Sequence, residues 1–193
     1  VTARQAIARA AFARLARHPA LQGTRPVLAG TFPLELDVAA SDLDIICEVR
    51  NPARFADRLA RAFGHRPGFR LWLRNVDGLP TVVARFPEAG LPVEIFAQGR
   101  PAHAQRAVRH LRAEARLIKL HGEPLRRCVR ARKTQGVKTE PAFASCLGLA
   151  GDPYLALLDL YRASDAALRL LSVQDHARRS RHRTRAHPRA ADP

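Results

Sequence analysis

At Pro101 the spacing of apolar residues changes period, and that change constrains the fold more than any other feature of the chain. Before it, short apolar runs lie between turn residues: Pro26–Gly30, Ser41–Val49, Phe69–Arg74, Thr81–Phe86 and Leu91–Ala97. These read as strands, and Asp77-Gly78 joins the middle pair as a hairpin. Beyond Pro101, Val108, Leu111, Ala115 and Ile118 recur at helical spacing and predict one face of a long helix. Asn51-Pro52 and Asp152-Pro153 each set a capping side chain before a proline whose missing N–H is harmless in a first turn. They predict helices over 52–63 and from 153 to about 171. Shorter helices are predicted over 124–134 and 140–147, and a first helix over 3–17 with Ile7, Ala11 and Leu15 on its apolar face. The fold class is therefore α+β, a mixed β-sheet flanked by helices with a helical C-terminal part. Residues 1–122 form the core, 123–175 a helical extension of the same domain, and 176–193, with six Arg against one Asp, a disordered basic tail.

A chain of 193 residues, 47% hydrophobic, can bury one substantial core and has no room for two ordinary domains. No apolar run approaches bilayer length and the N-terminus lacks a secretory stretch, so a cytoplasmic protein with no membrane partner is expected. Cys47, Cys128 and Cys146 are odd in number and form no CxxC pair. Neither a disulfide framework nor a cysteine zinc site is expected, and the three read as small core residues in a reducing compartment. The formal net charge of +16 suits a partner that carries phosphates.

Three acids carry the chemistry. Asp42 and Asp44 are two apart at the polar start of a predicted strand, so both carboxylates aim to one side. Two carboxylates on one face repel and are costly to bury without a cation between them. Glu94 lies between Val93 and Ile95 in another strand; if the two strands are neighbours, it completes a set of hard oxygen ligands for two Mg2+ ions, with Mn2+ an alternative. Gly30-Thr31, ending the first strand, lets backbone N–H groups approach a triphosphate unobstructed.

The sequence Leu28-Ala29-Gly30-Thr31, then Asp42-Leu43-Asp44-Ile45 and a later strand glutamate, resembles the polymerase-beta-like nucleotidyltransferase superfamily. Its members share a helix, a Gly-Ser turn, a strand Asp-x-Asp or Asp-x-Glu pair and a third strand acid; Thr31 keeps the hydroxyl of the usual serine. More closely, Gly30-Thr-Phe-Pro-Leu, Ser41-Asp-Leu-Asp-Ile-Ile-Cys-Glu, Val93-Glu-Ile-Phe, Arg109-His110, Lys138-Thr-Glu-Pro-Ala-Phe143 and Gly151-Asp-Pro-Tyr154 resemble an uncharacterised bacterial family within it. The resemblance runs nearly to Leu171 and implies the fold and the metal site, with Arg109 and His110 as further site residues. Gly30, Thr31, Ser41, Lys138, Arg109 and His110 are thus the candidates for holding a nucleoside triphosphate, Lys138 as a compact point charge.

The expected activity is metal-dependent transfer of a nucleoside monophosphate to a hydroxyl of an unknown acceptor, which could be a small molecule, protein or RNA. Its rivals are a catalytically inactive nucleotide- or RNA-binding module and an antitoxin-like interaction protein on the same scaffold. Among the remaining residues, Arg112, Arg116 and Lys119, with Glu114 among them, read as a solvated helix face or as a basic stripe for RNA. Glu48 reads as a structural or surface acid, and Asp37 as a surface acid with a loop acid near the metals as its alternative. Trp72 reads as a packing residue, with base stacking as its alternative.

Overall fold

The structure is a computed structural model that describes residues 2–174, so the basic tail over 176–193 lies outside the described residues. Five strands form one mixed sheet: β1 (Val27–Ala29), β2 (Leu43–Glu48), β3 (Arg70–Val76), β4 (Leu79–Glu88) and β5 (Leu91–Gln98), in the order β1-β2-β5-β4-β3. Only β2 and β5 run parallel. A crossover through α2 (Pro52–Phe63) and the hairpin β3–β4 carries the chain from β2 to β5. Strand alternation divides β2 between two faces. Leu43, Ile45 and Cys47 join the core under α1 (Ala3–Arg17) and α2, whereas Ile46 packs with Val108 and Ala102 on the other side. Asp42 and Asp44 share the parity of Ile46, so the acids belong to the face that the later helices cover.

Those helices are α3 (Arg106–Thr134), α4 (Thr139–Leu147), α5 (Pro153–Arg162) and α6 (Asp165–Arg169). Gly122 breaks the helical path within α3, at φ 62 and ψ −146, just before Pro124, whose ring would clash with a continuous preceding turn. A second core of Leu117, Ile118, Leu125, Phe143, Leu147 and Leu157, with Leu34 and Leu36 from the loop before β2, joins this half to the sheet. No helix of the described residues is long and apolar enough to cross a membrane.

Several expectations need correction. Cys128 and Cys146 form a disulfide, because the second half of α3 lies alongside α4; only Cys47 is a free, buried thiol. Burial pushes that thiol up to about 11. The apolar face of α1 is rotated from Ile7, which is 44% exposed, to Ala8, Ala11 and Leu15. Ala115 is exposed on α3 and Glu114 is buried in its stead. The helix expected over 153–171 stops at Arg162 and restarts with Ser164 as the cap of α6. Trp72 and Leu73, on opposite faces of the edge strand β3, are both exposed. Asp37 is no surface acid: its carboxylate accepts from Gln5 Nε2 at 2.8 Å and faces Arg4, tying the loop to α1. Glu48 is half-buried and paired with Arg25.

Candidate active site

The parallel register of β2 and β5 sets Asp44 directly beside Glu94. Asp42, one residue before the start of β2, lies on the same side as Asp44 and Glu94. β1 supplies the third element: Ala29 pairs with Asp44, and Gly30 then turns at φ 67. A Cβ on Gly30 would stand 2.1 Å from Asp44 Oδ2. Glycine is required here twice over, by its left-handed backbone and by the carboxylate lying against its Cα.

The acids crowd one another. Burial first, and then the charges of Glu94, Asp42 and Glu140, push Asp44 up to about 7. Burial also raises Asp42, partly offset by Arg85. Arg85, opposite Glu94 across β4 and β5, donates from Nε to Glu94 Oε2 at 2.6 Å and is the nearest compensating cation. With Glu94 so engaged, no three His, Cys, Asp or Glu side chains among the described residues close around one point. The donor set is nevertheless made of hard carboxylate oxygens in mutual repulsion, a combination that a divalent cation relieves.

These acids lie in a cavity of about 630 Å³ between the sheet and the helical half. Gly30, Thr31, Ser41, Asp42, Asp44, Glu94, His110 and Lys138 all line it. Thr31 and Ser41 hold the loop that forms its rim. Thr31 O accepts from the N–H groups of Leu34 and Leu36, and Ser41 Oγ accepts from Val38 N at 2.9 Å. Arg4 of α1 donates to the carbonyls of Ala39 and Ser41. Lys138 is exposed at the start of α4. Arg109 is absent from the lining; its guanidinium lies over the Tyr161 ring, 5.3 Å from the centroid.

Besides His110, already a candidate from the sequence, the helical wall contributes Glu140, Lys133 and Glu114, which the sequence reading did not place in the site. His110 Nε2 lies 3.0 Å from the Tyr154 carbonyl, which can only accept, so that nitrogen carries a proton. His110 Nδ1 faces Glu140 Oε1 at 3.4 Å. Burial pushes Glu140 up, but His110, its own N–H and Lys133 outweigh that and hold it below the ordinary glutamate range. Lys133 donates to Thr139 Oγ1 at 3.0 Å, and burial lowers its pKa despite the acids around it. Glu114 is the largest departure from the sequence reading. It is 2% exposed, its Oε1 has no hydrogen-bond partner, and burial with the nearby Glu140 charge pushes it up to about 8. A signal for Glu114 existed, since it occupies the inward helical position between Leu111 and Leu117, where an acid needs a reason to be.

Comparison with solved structures fits this arrangement. Cid1, described as having RNA terminal uridylyl transferase activity, matches with a TM-score of 0.54 at 14% identity, over 79% of this chain and 50% of Cid1. A mutant of Cid1 bound to MgATP, from a study of UTP selectivity in this poly(U) polymerase, matches with a TM-score of 0.52 at 15% identity, over 81% and 49%. The chain thus spans about half the length of the Cid1 chains it matches. No curated protein matches it. The fold is that of the polymerase-beta-like nucleotidyltransferases. The chain belongs to the family known as domain of unknown function DUF4269, whose model matches residues 11–160.

Proposed function

We propose that this protein transfers a nucleoside monophosphate from a nucleoside triphosphate to a hydroxyl of an acceptor, at a site where Asp42, Asp44 and Glu94 hold Mg2+, or Mn2+ in its place. One observation carries the proposal: Asp44 and Glu94 are register partners on parallel strands, beside a glycine whose missing Cβ makes room for the Asp44 carboxylate. A divalent cation bound there supplies charge neutralisation at the α-phosphate and the departing pyrophosphate, and lowers the pKa of the attacking hydroxyl. The residues of the chain do the rest. Gly30 and Thr31 offer close backbone approach to the triphosphate, with Ser41 on the facing rim. Lys138 and Lys133 bring positive charge from the helical wall. His110, fixed by Tyr154 and Glu140, presents a rigid polar edge to the cavity. Arg85 would have to release Glu94 for that carboxylate to reach a cation.

The Arg85–Glu94 pair also favours a second reading, in which an arginine has taken over from the metal and the cavity binds nucleotide without turnover. Titration calorimetry with each of the four NTPs separates the two. On the first reading, binding requires Mg2+ and falls at least about tenfold in Asp42→Asn and Asp44→Asn, the loss of one charge-assisted ligand. Binding that persists in EDTA and is unchanged in both variants contradicts it and supports the second.

A further inference from the structure

A second cavity of about 710 Å³ opens beyond the C-terminal end of β2, the end away from Asp42 and Asp44. It lies between the segment leading into β1 and one face of α2. Its lining carries five arginines, Arg25, Arg50, Arg54, Arg58 and Arg61, against two acids, Glu48 and Asp57. Arg54, Arg58 and Arg61 follow at steps of four and three residues on α2, so they share one helical face, and Arg50 stands just before Asn51, the cap of that helix. Arg25 stands on the opposite bank with its backbone at φ 47, a conformation that a non-glycine residue rarely adopts. It reaches Glu48 at 3.6 Å. Arg58 lies over the Phe55 ring, and its Nε is shut off from solvent without a hydrogen-bond partner. Among the described residues, Arg50, Arg54 and Arg61 enter no ion pair.

We propose that this cleft is a docking groove for the sugar–phosphate backbone of single-stranded RNA, separate from the nucleotide cavity. The first amides of α2 are not the anchor, because the Asn51 side chain already caps the Arg54 N–H. Recognition rests on the guanidinium groups, whose forked donors match phosphate oxygens two at a time. A row of arginines along one bank, with a further arginine opposite, suits a ligand whose anions repeat along a flexible strand. A cavity of this size admits a few nucleotides and no duplex. The lining offers no exposed aromatic platform for bases, since Phe55 is buried under Arg58, so binding is independent of sequence.

The test is fluorescence anisotropy of the full chain with a short, labelled, mixed-sequence RNA, without NTP or Mg2+; its failure therefore leaves the carboxylate site untouched, and the reverse holds as well. Arg50→Glu with Arg54→Glu is expected to weaken binding about tenfold or more and to reduce the slope of log K against log salt by ~0.7 for each phosphate no longer neutralised. Both new acids fall at the N-terminal end of α2, where the helix dipole favours them. Arg112→Glu with Arg127→Glu makes the same change in net charge at exposed α3 positions outside the cleft, and is expected to weaken binding less than about threefold. Arg50→Ala with Arg54→Ala repeats the ranking with a smaller loss. Equal losses in the two glutamate pairs, or none in the cleft pair, overturn the proposal. Poly-glutamate displacing the RNA as well as unlabelled RNA does would assign the groove to an acidic protein and overturn it too. Single-stranded DNA binding more tightly than RNA would overturn the choice of RNA.

Discussion

Gly30 links backbone conformation to chemistry. Alanine there incurs about 1–2 kcal/mol for the left-handed backbone and also drives its methyl group into Asp44. Gly30→Ala is therefore expected to lower the melting temperature and to abolish Mg-dependent NTP binding in calorimetry; a variant that binds normally would show that Asp44 is not held where the site needs it. Glu114 gives a pH signature. Unfolded, it ionises near its ordinary 4.5, whereas folded it keeps its proton to about 8. The folded state binds more protons between those values, so stability falls as pH rises through this window and levels off above it. Glu114→Gln is expected to flatten that slope, leaving the part that the raised Asp44 carboxyl contributes, and to exceed wild type by about 1–3 kcal/mol above the window, read by urea unfolding at low and high pH; parallel slopes in the two proteins would contradict it. At this scale the sequence showed the acids that stand in strands, because Asp42, Asp44 and Glu94 interrupt apolar patterns in plain view. It concealed Arg85, whose importance is that it faces Glu94 across a strand pair, and Glu140, which reads as an ordinary early-helix acid.

Among the elements, caps were the most legible. Asn51-Pro52 and Asp152-Pro153 set the starts of α2 and α5 through local bonds, and α1 and α2 have the predicted bounds. Strand existence was also legible from alternation and turns. Pairing was not: nothing local says that β2 runs beside β5, or that Asp44 meets Glu94 and not Phe96, because register is settled by the packing of both sheet faces. The bridge between elements at Glu88 was likewise hidden. Burial pushes its carboxyl up, but Arg14 from α1 and Arg66 after α2 outweigh that and hold it below the usual range. The stabilisation from Glu88 is thus present above the ordinary glutamate pKa and is lost as pH falls through the lowered folded value. Glu88→Gln is expected to cost about 1 kcal/mol at neutral pH and nothing in strong acid, measured by denaturant unfolding. An equal loss at both pH values would point to packing in place of charge.

Across the whole molecule, a sheet half that brings the carboxylates meets a helical half that brings Lys133, Lys138 and His110, and the cavity lies between them. The disulfide from Cys128 to Cys146 ties together two helices of that second half, α3 and α4, with a separation of 18 residues. Replacing both cysteines with serine is expected to cost about 3 kcal/mol in unfolding free energy by freeing that loop in the unfolded chain; unchanged unfolding would mean that helix packing alone holds the wall. The central claim is that carboxylates from β2 and β5 act together on a cation in the presence of a triphosphate. Electron paramagnetic resonance of Mn2+ titrated into the full chain with a non-hydrolysable NTP tests this most directly. Mn2+ is expected to be taken up with nucleotide by the wild type, and this uptake to disappear in both Asp44→Asn and Glu94→Gln. Undiminished uptake in either variant would contradict the claim.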